Sequence, residues 1–141
     1  MALLSKQDKI FIAGHKGLVG SALLRKRTAL GYTNFLTRTR GELDLLNAHA
    51  VENFFATEKP DVFFLSAAKV GGIHANNTYR ADFVYENLQI QNHVIWNAHK
   101  FNTHRLIFLG SSCMDSSILN TMGWKSTLDF TEALKQCLSQ I

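Results

Sequence analysis

The sequence contains few of the residues that mark loop-rich, disulfide-stabilised or metal-binding chains. Its single proline, Pro60, and its scattered glycines argue against a disordered linker. The only two cysteines, Cys113 and Cys137, are far apart and form no C-x-x-C motif, and the six histidines show no ligand spacing such as H-x-x-x-H. The sequence therefore predicts a reduced, cytoplasmic chain without a structural metal.

The sequence also lacks long apolar runs and strong charge. No run reaches the roughly 20 residues that a transmembrane helix needs, and the N-terminal stretch MALLSKQDK has too short an apolar run for a signal peptide. The formal net charge is +4, and the charges are spread rather than clustered. This balance suits an anionic small molecule at least as well as a nucleic acid. We therefore expect neither a membrane nor a nucleic acid as partner.

Short apolar runs alternate with helical patterns along most of the chain. Runs rich in β-branched and aromatic residues predict strands over residues 9–13, 34–40, 61–68 and 105–110. Helical spacing predicts helices over residues 18–30, 48–58 and 79–101, with Asp44 and Asn47 as candidate caps of the second. The alternation predicts an α/β fold: a partial Rossmann-type, doubly wound sheet of about four parallel strands in the order 3-2-1-4, with flanking helices.

Three glycines, Gly14, Gly17 and Gly20, follow the first strand and lead into the first helix. The first glycine allows a tight turn, the second lets the backbone approach a pyrophosphate, and the third lets the helix pack closely on the strand. The helix N-terminus then presents N–H groups and partial positive charge to phosphates. The motif predicts a dinucleotide site, and the alternative is a glycine-bearing turn without a ligand.

The turn after the second strand is basic. It reads Thr37-Arg38-Thr39-Arg40, and no acidic residue occurs before Glu42. An arginine here can pair with a 2′-phosphate, whereas an acid would bind the ribose 2′-hydroxyl, so the pattern favours NADP over NAD. Lys16 can contribute a second positive charge to the binding of the same phosphate. The alternative is a solvated basic turn.

The third strand ends in small residues that lead into a polar loop. Ala67 and Ala68 would let a cofactor lie close to the backbone at the carboxyl edge of the sheet, where ligands bind. Lys69 and His74 are candidate substrate contacts in this loop. The alternative is that they are ordinary loop residues.

Ser111, Ser112 and Cys113 follow the fourth strand. A serine at a strand end can hydrogen-bond a substrate carbonyl, but it needs a partner acid, usually a tyrosine with a lysine four residues on. No such pair exists, since the residues four positions after the three tyrosines are Leu36, Phe83 and Gln89. Without further context, a turn is the better interpretation.

Five stretches together resemble the N-terminal half of one enzyme family. They are KIFIAGHKGLVGSALLRK, RTRGELDLLN, AAKVGGIHANNTY, ENLQIQNHVI and FLGSSC, and they span about residues 9–113. On these motifs the chain is similar to the GDP-L-fucose synthase family of the extended short-chain dehydrogenase/reductase superfamily. The AAKVGGIHANNTY stretch is far more specific than a glycine loop.

The resemblance implies NADP(H)-dependent epimerisation and reduction of a nucleotide sugar, GDP-4-keto-6-deoxy-D-mannose, to GDP-L-fucose. It implies that Ser111 is the catalytic serine and that Cys113 acts as an acid or base in epimerisation. With the motifs above, it gives these cofactor-binding residues: Gly14, His15, Lys16, Gly17, Leu18, Val19, Gly20, Arg38, Arg40, Ala67, Ala68, Leu109, Gly110 and Ser112.

The resemblance changes abruptly after Cys113. The stretch MDSSILNTMGWKSTLDFTEALKQCL is similar to the extreme C-terminus of the family, so most of the middle, with the tyrosine–lysine pair and the substrate pocket, has no counterpart. We therefore expect residues 1–113 to form the NADP-binding Rossmann half and residues 114–141 a helical tail. We expect this chain alone not to make GDP-L-fucose.

Two further functions stay open. One is a non-catalytic NADP(H)-binding module. The other is a dimerising regulator, in which the helix over residues 79–101 pairs with a second copy or with a full-length synthase. Val84, Leu88, Ile95 and Ala98 fall roughly on one face of that helix. The alternative for the helix is ordinary packing against the sheet.

Overall fold

Strands and helices alternate along the chain, as the sequence predicts. The computed structural model describes residues 4–71, 75 and 78–109, and Ser5–Leu109 forms one compact unit. The elements are β1 (Ile10–Ala13), α1 (Leu18–Ala29), β2 (Phe35–Leu36), α2 (Ala48–Glu58), β3 (Val62–Leu65), α3 (Arg80–Lys100) and β4 (Arg105–Phe108). A four-stranded parallel sheet with flanking helices confirms the predicted fold class. The predicted tail, residues 114–141, lies outside the described residues.

The strand order is β2-β1-β3-β4, so the predicted order 3-2-1-4 is wrong in the placement of β3. β3 pairs with β1 on one side, in the register Ile10↔Val62, and with β4 on the other. Every residue of β3 is buried, which requires neighbours on both sides, whereas β2 has only two half-buried residues and forms an edge. The crossover through α2 therefore returns past β1, and right-handed connections place α1 and α2 on opposite faces of the sheet.

Local signals set both ends of α2, and its predicted bounds are confirmed. The side chain of Asn47 accepts a hydrogen bond from the backbone N–H of Ala50 at 3.0 Å and so caps the first turn. At the other end Lys59 adopts a left-handed conformation with φ of 46°. Its N–H donates to the carbonyl of Phe55 at 3.0 Å, and Pro60 then prevents the helix from continuing.

Aromatic side chains fill the core between the sheet and the helices α2 and α3. The ring of Phe11 lies 4.5 Å from that of Phe54 and 4.7 Å from that of Phe63, and Phe63 stacks on Phe55 at 5.2 Å. The long helix α3 closes this core with a buried face of Ile90, Val94, Asn97 and Ala98. Of the four residues that the sequence placed on one face, only Ala98 is buried. Val84, Leu88 and Ile95 are exposed.

Helix α1 packs on the sheet through unexpected residues. Its buried positions are Gly20 and Arg27, whereas Leu18 is 89% exposed. The Arg27 guanidinium lies over the rings of Tyr32 and Phe64, at 5.3 and 5.9 Å, which is cation–π packing. In the part of the chain that the structure describes, no helix is long and apolar enough to cross a membrane.

The contact of Gly20 with the turn after β1 gives the first testable prediction. A Cβ at Gly20 would lie 2.2 Å from the carbonyl oxygen of Gly14 and 2.9 Å from the Cα of His15. Both are backbone atoms, so Gly20→Ala must push α1 away from β1. We expect the free energy of unfolding in urea to fall by roughly 1–3 kcal/mol or more.

Gly41→Ala is the matched control, because a Cβ at Gly41 would meet no heavy atom within 4 Å. We expect it to change the free energy of unfolding by less than about 0.5 kcal/mol. Equal stabilities of the two variants would contradict the packing described for α1.

Candidate functional site

A cleft of about 250 Å³ lies at the carboxyl ends of β1 and β3. The chain leaves β1 towards β2 on one side and places β3 on the other, so the cleft is at the topological switch point of the sheet, where ligands of such folds bind. Its lining joins the end of β1, the turn after β2, the end of β3 and the side of α3: Phe11, Ala13, Gly14, His15, Lys16, Gly17, Arg38, Thr39, Arg40, Leu43, Asp44, Leu45, Leu46, Ala67, Ala68, Lys69, Glu86 and Ile90.

The glycine turn forms one end of the cleft. Gly14 has a φ of 77°, and a Cβ there would lie 2.8 Å from the carbonyl oxygen of Ser66. Ser66 holds the turn, since its backbone N–H and its hydroxyl both donate to the carbonyl of Ala13. The N–H of Gly17 donates to the carbonyl of Gly14 at 2.9 Å. Backbone therefore borders the cleft here, with no side chain between it and a ligand.

The N-terminus of α1 is open towards an anion. Gly17 is the N-cap, no side chain caps the helix, and its first turn contains no acidic residue. The contrast is α2, whose first turn is closed by Asn47. Leu18 and Val19 were predicted to bind the cofactor, but both side chains are exposed and neither lines the cleft. Any contact from them would come from the backbone of the helix N-terminus.

Four lysine or arginine side chains line the cleft, and they differ in how firmly they are held; Lys69 is paired with Glu86. Arg38 is tied to Glu58, with 2.8 Å between Nη2 and Oε1. The side chain of Arg40 is 75% exposed, and its Nε lies 3.9 Å from Oδ1 of Asp44. No side-chain hydrogen bond or ion pair is found for Lys16 within the described residues. Lys16 and Arg40 can therefore turn towards a phosphate at little cost.

Glu42, the first acidic residue after β2, is hydrogen-bonded within the basic turn and does not line the cleft. Its carboxylate accepts hydrogen bonds from the backbone N–H and the hydroxyl of Thr39, both at 2.7 Å. These hydrogen bonds, with a smaller contribution from the positive charges of Arg38 and Lys16, lower the pKa of Glu42. Glu42 does not line the cleft, so the basic character of the turn is preserved.

The apolar wall of the cleft was not predicted as part of the site. It consists of Leu43, Leu45 and Leu46 from the loop before α2, with Ile90 from α3. The carboxylate of Asp44 accepts a hydrogen bond from the N–H of Leu46 at 3.0 Å, and Nδ1 of His93 lies 3.0 Å from the carbonyl oxygen of Leu45. The available sequence signal was a group of three leucines around the candidate cap Asp44, directly before the cap Asn47.

The loop after β3 is fixed to α3 by Asn87. Its Oδ1 accepts from the N–H of Lys69 at 2.8 Å, and its Nδ2 donates to the carbonyl of the same residue at 3.0 Å. The Lys69 ammonium pairs with Glu86 at 2.5 Å. Ala67 and Ala68, predicted as close-approach residues, lie in the cleft lining beside this clamp. Lys69 thus has an internal partner, and its role as a substrate contact stays a prediction.

Several predicted site residues do not belong to the cleft as described. Leu109 continues the ladder beyond β4, where its N–H donates to the carbonyl of Leu65 at 3.2 Å, and it does not line the cleft. Gly20 serves the packing of α1 rather than the lining. His74, Gly110, Ser111, Ser112 and Cys113 lie outside the described residues. Within the described ranges, no group of three or more His, Cys, Asp or Glu side chains could hold a metal ion.

Comparison with known proteins places this cleft in a family. The family model of the NAD dependent epimerase/dehydratase family matches residues 10–117. The chain belongs to this family.

Among curated relatives, the chain is 59% identical over 112 residues to Putative GDP-L-fucose synthase 2 of Arabidopsis thaliana, covering 79% of this chain and 34% of the relative. It is 52% identical over 111 residues to GDP-L-fucose synthase of Escherichia coli, again covering 79% of this chain and 34% of the relative. A GDP-D-glycero-L-gluco-heptose synthase from Campylobacter jejuni, solved in the presence of NADPH, is 42% identical, with a TM-score of 0.79 over 92% of this chain and 36% of that one. The predicted resemblance is confirmed, and the chain spans about a third of the length of these relatives.

The Thr39–Glu42 contact predicts a pH dependence. The ordinary pKa of a glutamate is 4.5, and we expect Glu42 to titrate below it. Because the folded-state pKa is lowered, the ionised carboxylate stabilises the fold above pH 4.5, and this contribution is lost as the pH falls through the lowered pKa. NMR titration of the Glu42 side-chain carboxyl carbon measures the midpoint.

Thr39→Val removes one donor and should move the Glu42 midpoint back towards 4.5. Thr28→Val is the control, because the Thr28 hydroxyl donates to the carbonyl of Leu24 on α1 and should leave the midpoint of Glu42 unchanged. A midpoint at or above 4.5 in the unsubstituted chain would contradict the hydrogen-bonded turn.

Proposed function

We propose that this chain is a GDP-L-fucose synthase-type protein that binds NADP(H) in the cleft between β1 and β3. The reaction of that group is the NADPH-dependent epimerisation and reduction of GDP-4-keto-6-deoxy-D-mannose to GDP-L-fucose. The observation that carries the proposal is the convergence of an open helix N-terminus, a glycine turn and two loosely held cations on one cleft. The identity to proteins named for this activity supports it.

The residues of the cleft fit a dinucleotide with a 2′-phosphate. A Cβ at Gly14 or Gly17 would crowd the backbone where a pyrophosphate approaches the N-terminus of α1. Arg40 and Lys16 would hold the 2′-phosphate, and Leu43 with Ile90 would pack on the adenine. Ala67 and Ala68 leave room for the nicotinamide half along β3. NADPH, when bound, supplies the hydride. The residues of the cleft bind and orient the cofactor.

The catalytic side of the proposal is incomplete in this chain. Ser111 would hydrogen-bond the substrate carbonyl, and Cys113 would act as an acid or base in epimerisation. No tyrosine of the sequence has a lysine four residues on. General acid catalysis alone is worth roughly 10²–10⁴-fold in rate, so we propose that turnover by this chain alone is negligible. We also propose that residues 1–113 are the NADP-binding half and that residues 114–141 are a tail. The isolated cysteines support a cytoplasmic location.

Thermal unfolding with NADPH and NADH tests the proposal. A ligand at about 100 times its dissociation constant should stabilise the fold by roughly 2.7 kcal/mol, which raises the midpoint by several degrees in a domain of this size. We expect NADPH to raise the midpoint more than NADH at the same concentration.

Arg40→Met should reduce the excess of the NADPH shift over the NADH shift and leave the unliganded midpoint unchanged, because Arg40 is 75% exposed and loosely paired. A cooperative transition that neither dinucleotide shifts would refute the proposed function. Equal shifts by both would refute the role given to the basic turn.

A second candidate function is dimerisation through α3. Its buried face packs on the core, but Val84, Tyr85, Leu88, Ile95 and Trp96 are exposed along the rest of the helix. Exposed apolar side chains grouped on one helix are typical of an interaction surface. We propose a second copy of the chain, or a full-length synthase, as the partner.

Sedimentation equilibrium tests this candidate with a matched pair of leucines. Leu88 is 50% exposed on α3, and Leu30 is 47% exposed at the end of α1. Leu88→Glu should weaken self-association at least tenfold, because it places a charge in an apolar interface. Leu30→Glu should leave self-association unchanged. A monomeric unsubstituted chain that also fails to bind a full-length synthase would refute the candidate.

A further inference from the structure

Glu58, the last residue of α2, receives two cations from separate parts of the chain. Its Oε1 lies 2.8 Å from Nη2 of Arg38, which follows β2. Its Oε2 lies 3.9 Å from Nζ of Lys9, which precedes β1, and the same Nζ donates to the backbone carbonyl of Glu58 at 2.7 Å. These side chains are about one third exposed or less, so the cluster is partly shielded from solvent.

Arg38 belongs both to this cluster and to the lining of the cleft. Lys9 stands before β1, whereas the glycine turn of the cleft follows it. The guanidinium of Arg38 is held by the carboxylate of Glu58. Its Nη1 also donates to the carbonyl of Thr37 at 3.0 Å.

Arg40, two residues further on, has no comparable restraint. Its carboxylate partner, Asp44, is 3.9 Å away, and both side chains are largely exposed. The basic turn therefore presents two arginines of different kinds, one anchored by charge and one free to turn. The sequence alone predicts both Arg38 and Arg40 as candidate ligands of the 2′-phosphate and does not distinguish them.

We propose that Glu58 is a positioning residue that sets cofactor selectivity by withholding Arg38 from the ligand, which leaves Arg40, with Lys16, to recognise the 2′-phosphate. The inference rests on the proposed NADP(H) function and specifies which residue controls it. If Glu58 loses its charge, Lys9 and Arg38 repel each other without a counterion. The guanidinium of Arg38 is then free to swing towards the cleft that its own residue lines.

The test is a gain of function in the full chain. Dissociation constants for NADPH and NADH give the selectivity ratio of each variant. Arg40→Met should lower the preference for NADPH roughly tenfold, the value of a hydrogen-bonded charge pair. Adding Glu58→Gln to that variant should raise its preference for NADPH at least about threefold, because Arg38 then binds the phosphate in place of Arg40. The affinity for NADH should stay within twofold, since it lacks the 2′-phosphate.

Glu52→Gln in the Arg40→Met background is the matched control. Glu52 is on the same helix and pairs with Lys100 at 2.5 Å, away from the residues that line the cleft. It should restore no selectivity. Equal recovery by both substitutions would overturn the inference, since it would reflect overall charge alone. No recovery with Glu58→Gln would overturn it as well.

A second measurement needs no substitution and so does not depend on whether a variant folds. The Nε–H resonance of Arg38 should respond alike to saturating NADPH and NADH, because its guanidinium stays on Glu58. A shift of that resonance seen with NADPH only would overturn the inference while leaving NADP(H) binding intact. Failure of the unsubstituted chain to bind either dinucleotide would instead remove the proposed function, and this inference with it.

Discussion

The close approach of α1 to the turn after β1 is the constraint on which the rest of the site depends. The backbone carbonyl of Gly14 occupies the space in which a side chain at Gly20 would stand. This contact fixes the start of α1 over the end of β1, and it thereby directs the first turn of the helix at the cleft. Ser66 holds the same turn from β3 through two hydrogen bonds to Ala13. The pyrophosphate binding proposed for this turn would therefore depend on backbone packing.

Electrostatics then divides the cations of the cleft into anchors and ligands. Ion pairs that water can still reach are screened and contribute little to the free energy of unfolding, and the side chains of Lys69–Glu86 and Arg38–Glu58 are 24–35% exposed. Their effect is orientation, because a guanidinium engaged at 2.8 Å has a defined direction. Residues without such partners keep the freedom to meet a phosphate. Which cations of a basic turn are available to a ligand can therefore be judged only when the acidic partner of each cation is known.

The features that were predicted correctly from the sequence are those that local signals determine. The bounds of α2 were predicted because Asn47 caps one end and Pro60 follows the other, and the glycine turn was predicted because strand, glycines and helix are contiguous. The strand order was wrong because pairing of β3 with β1 is a long-range choice that follows from burial of β3 on both faces. The packing face of α1 was missed because Gly20 and Arg27 are buried there, and neither is apolar by type. The leucine wall was missed because its partner, Ile90, lies on another helix.

The cleft is built mainly on the two fully buried strands of the sheet, β1 and β3. β1 and β3 are fully buried and supply the ends that line the cleft, while β2 and β4 are half-buried edges. The cleft is lined by β1 and the turn after it, by the loop between β2 and α2, by the residues after β3 and by α3, and by no residue of β4. Phe108, at the end of β4, is 43% exposed, yet its exposure leaves every lining residue in place. We therefore expect the proposed NADP(H) site to form within the part of the chain that matches its relatives. The acid–base chemistry proposed for Ser111 and Cys113 also needs a partner acid, and no tyrosine of the sequence has a lysine four residues on. It is therefore the part of the proposal that this chain supports least.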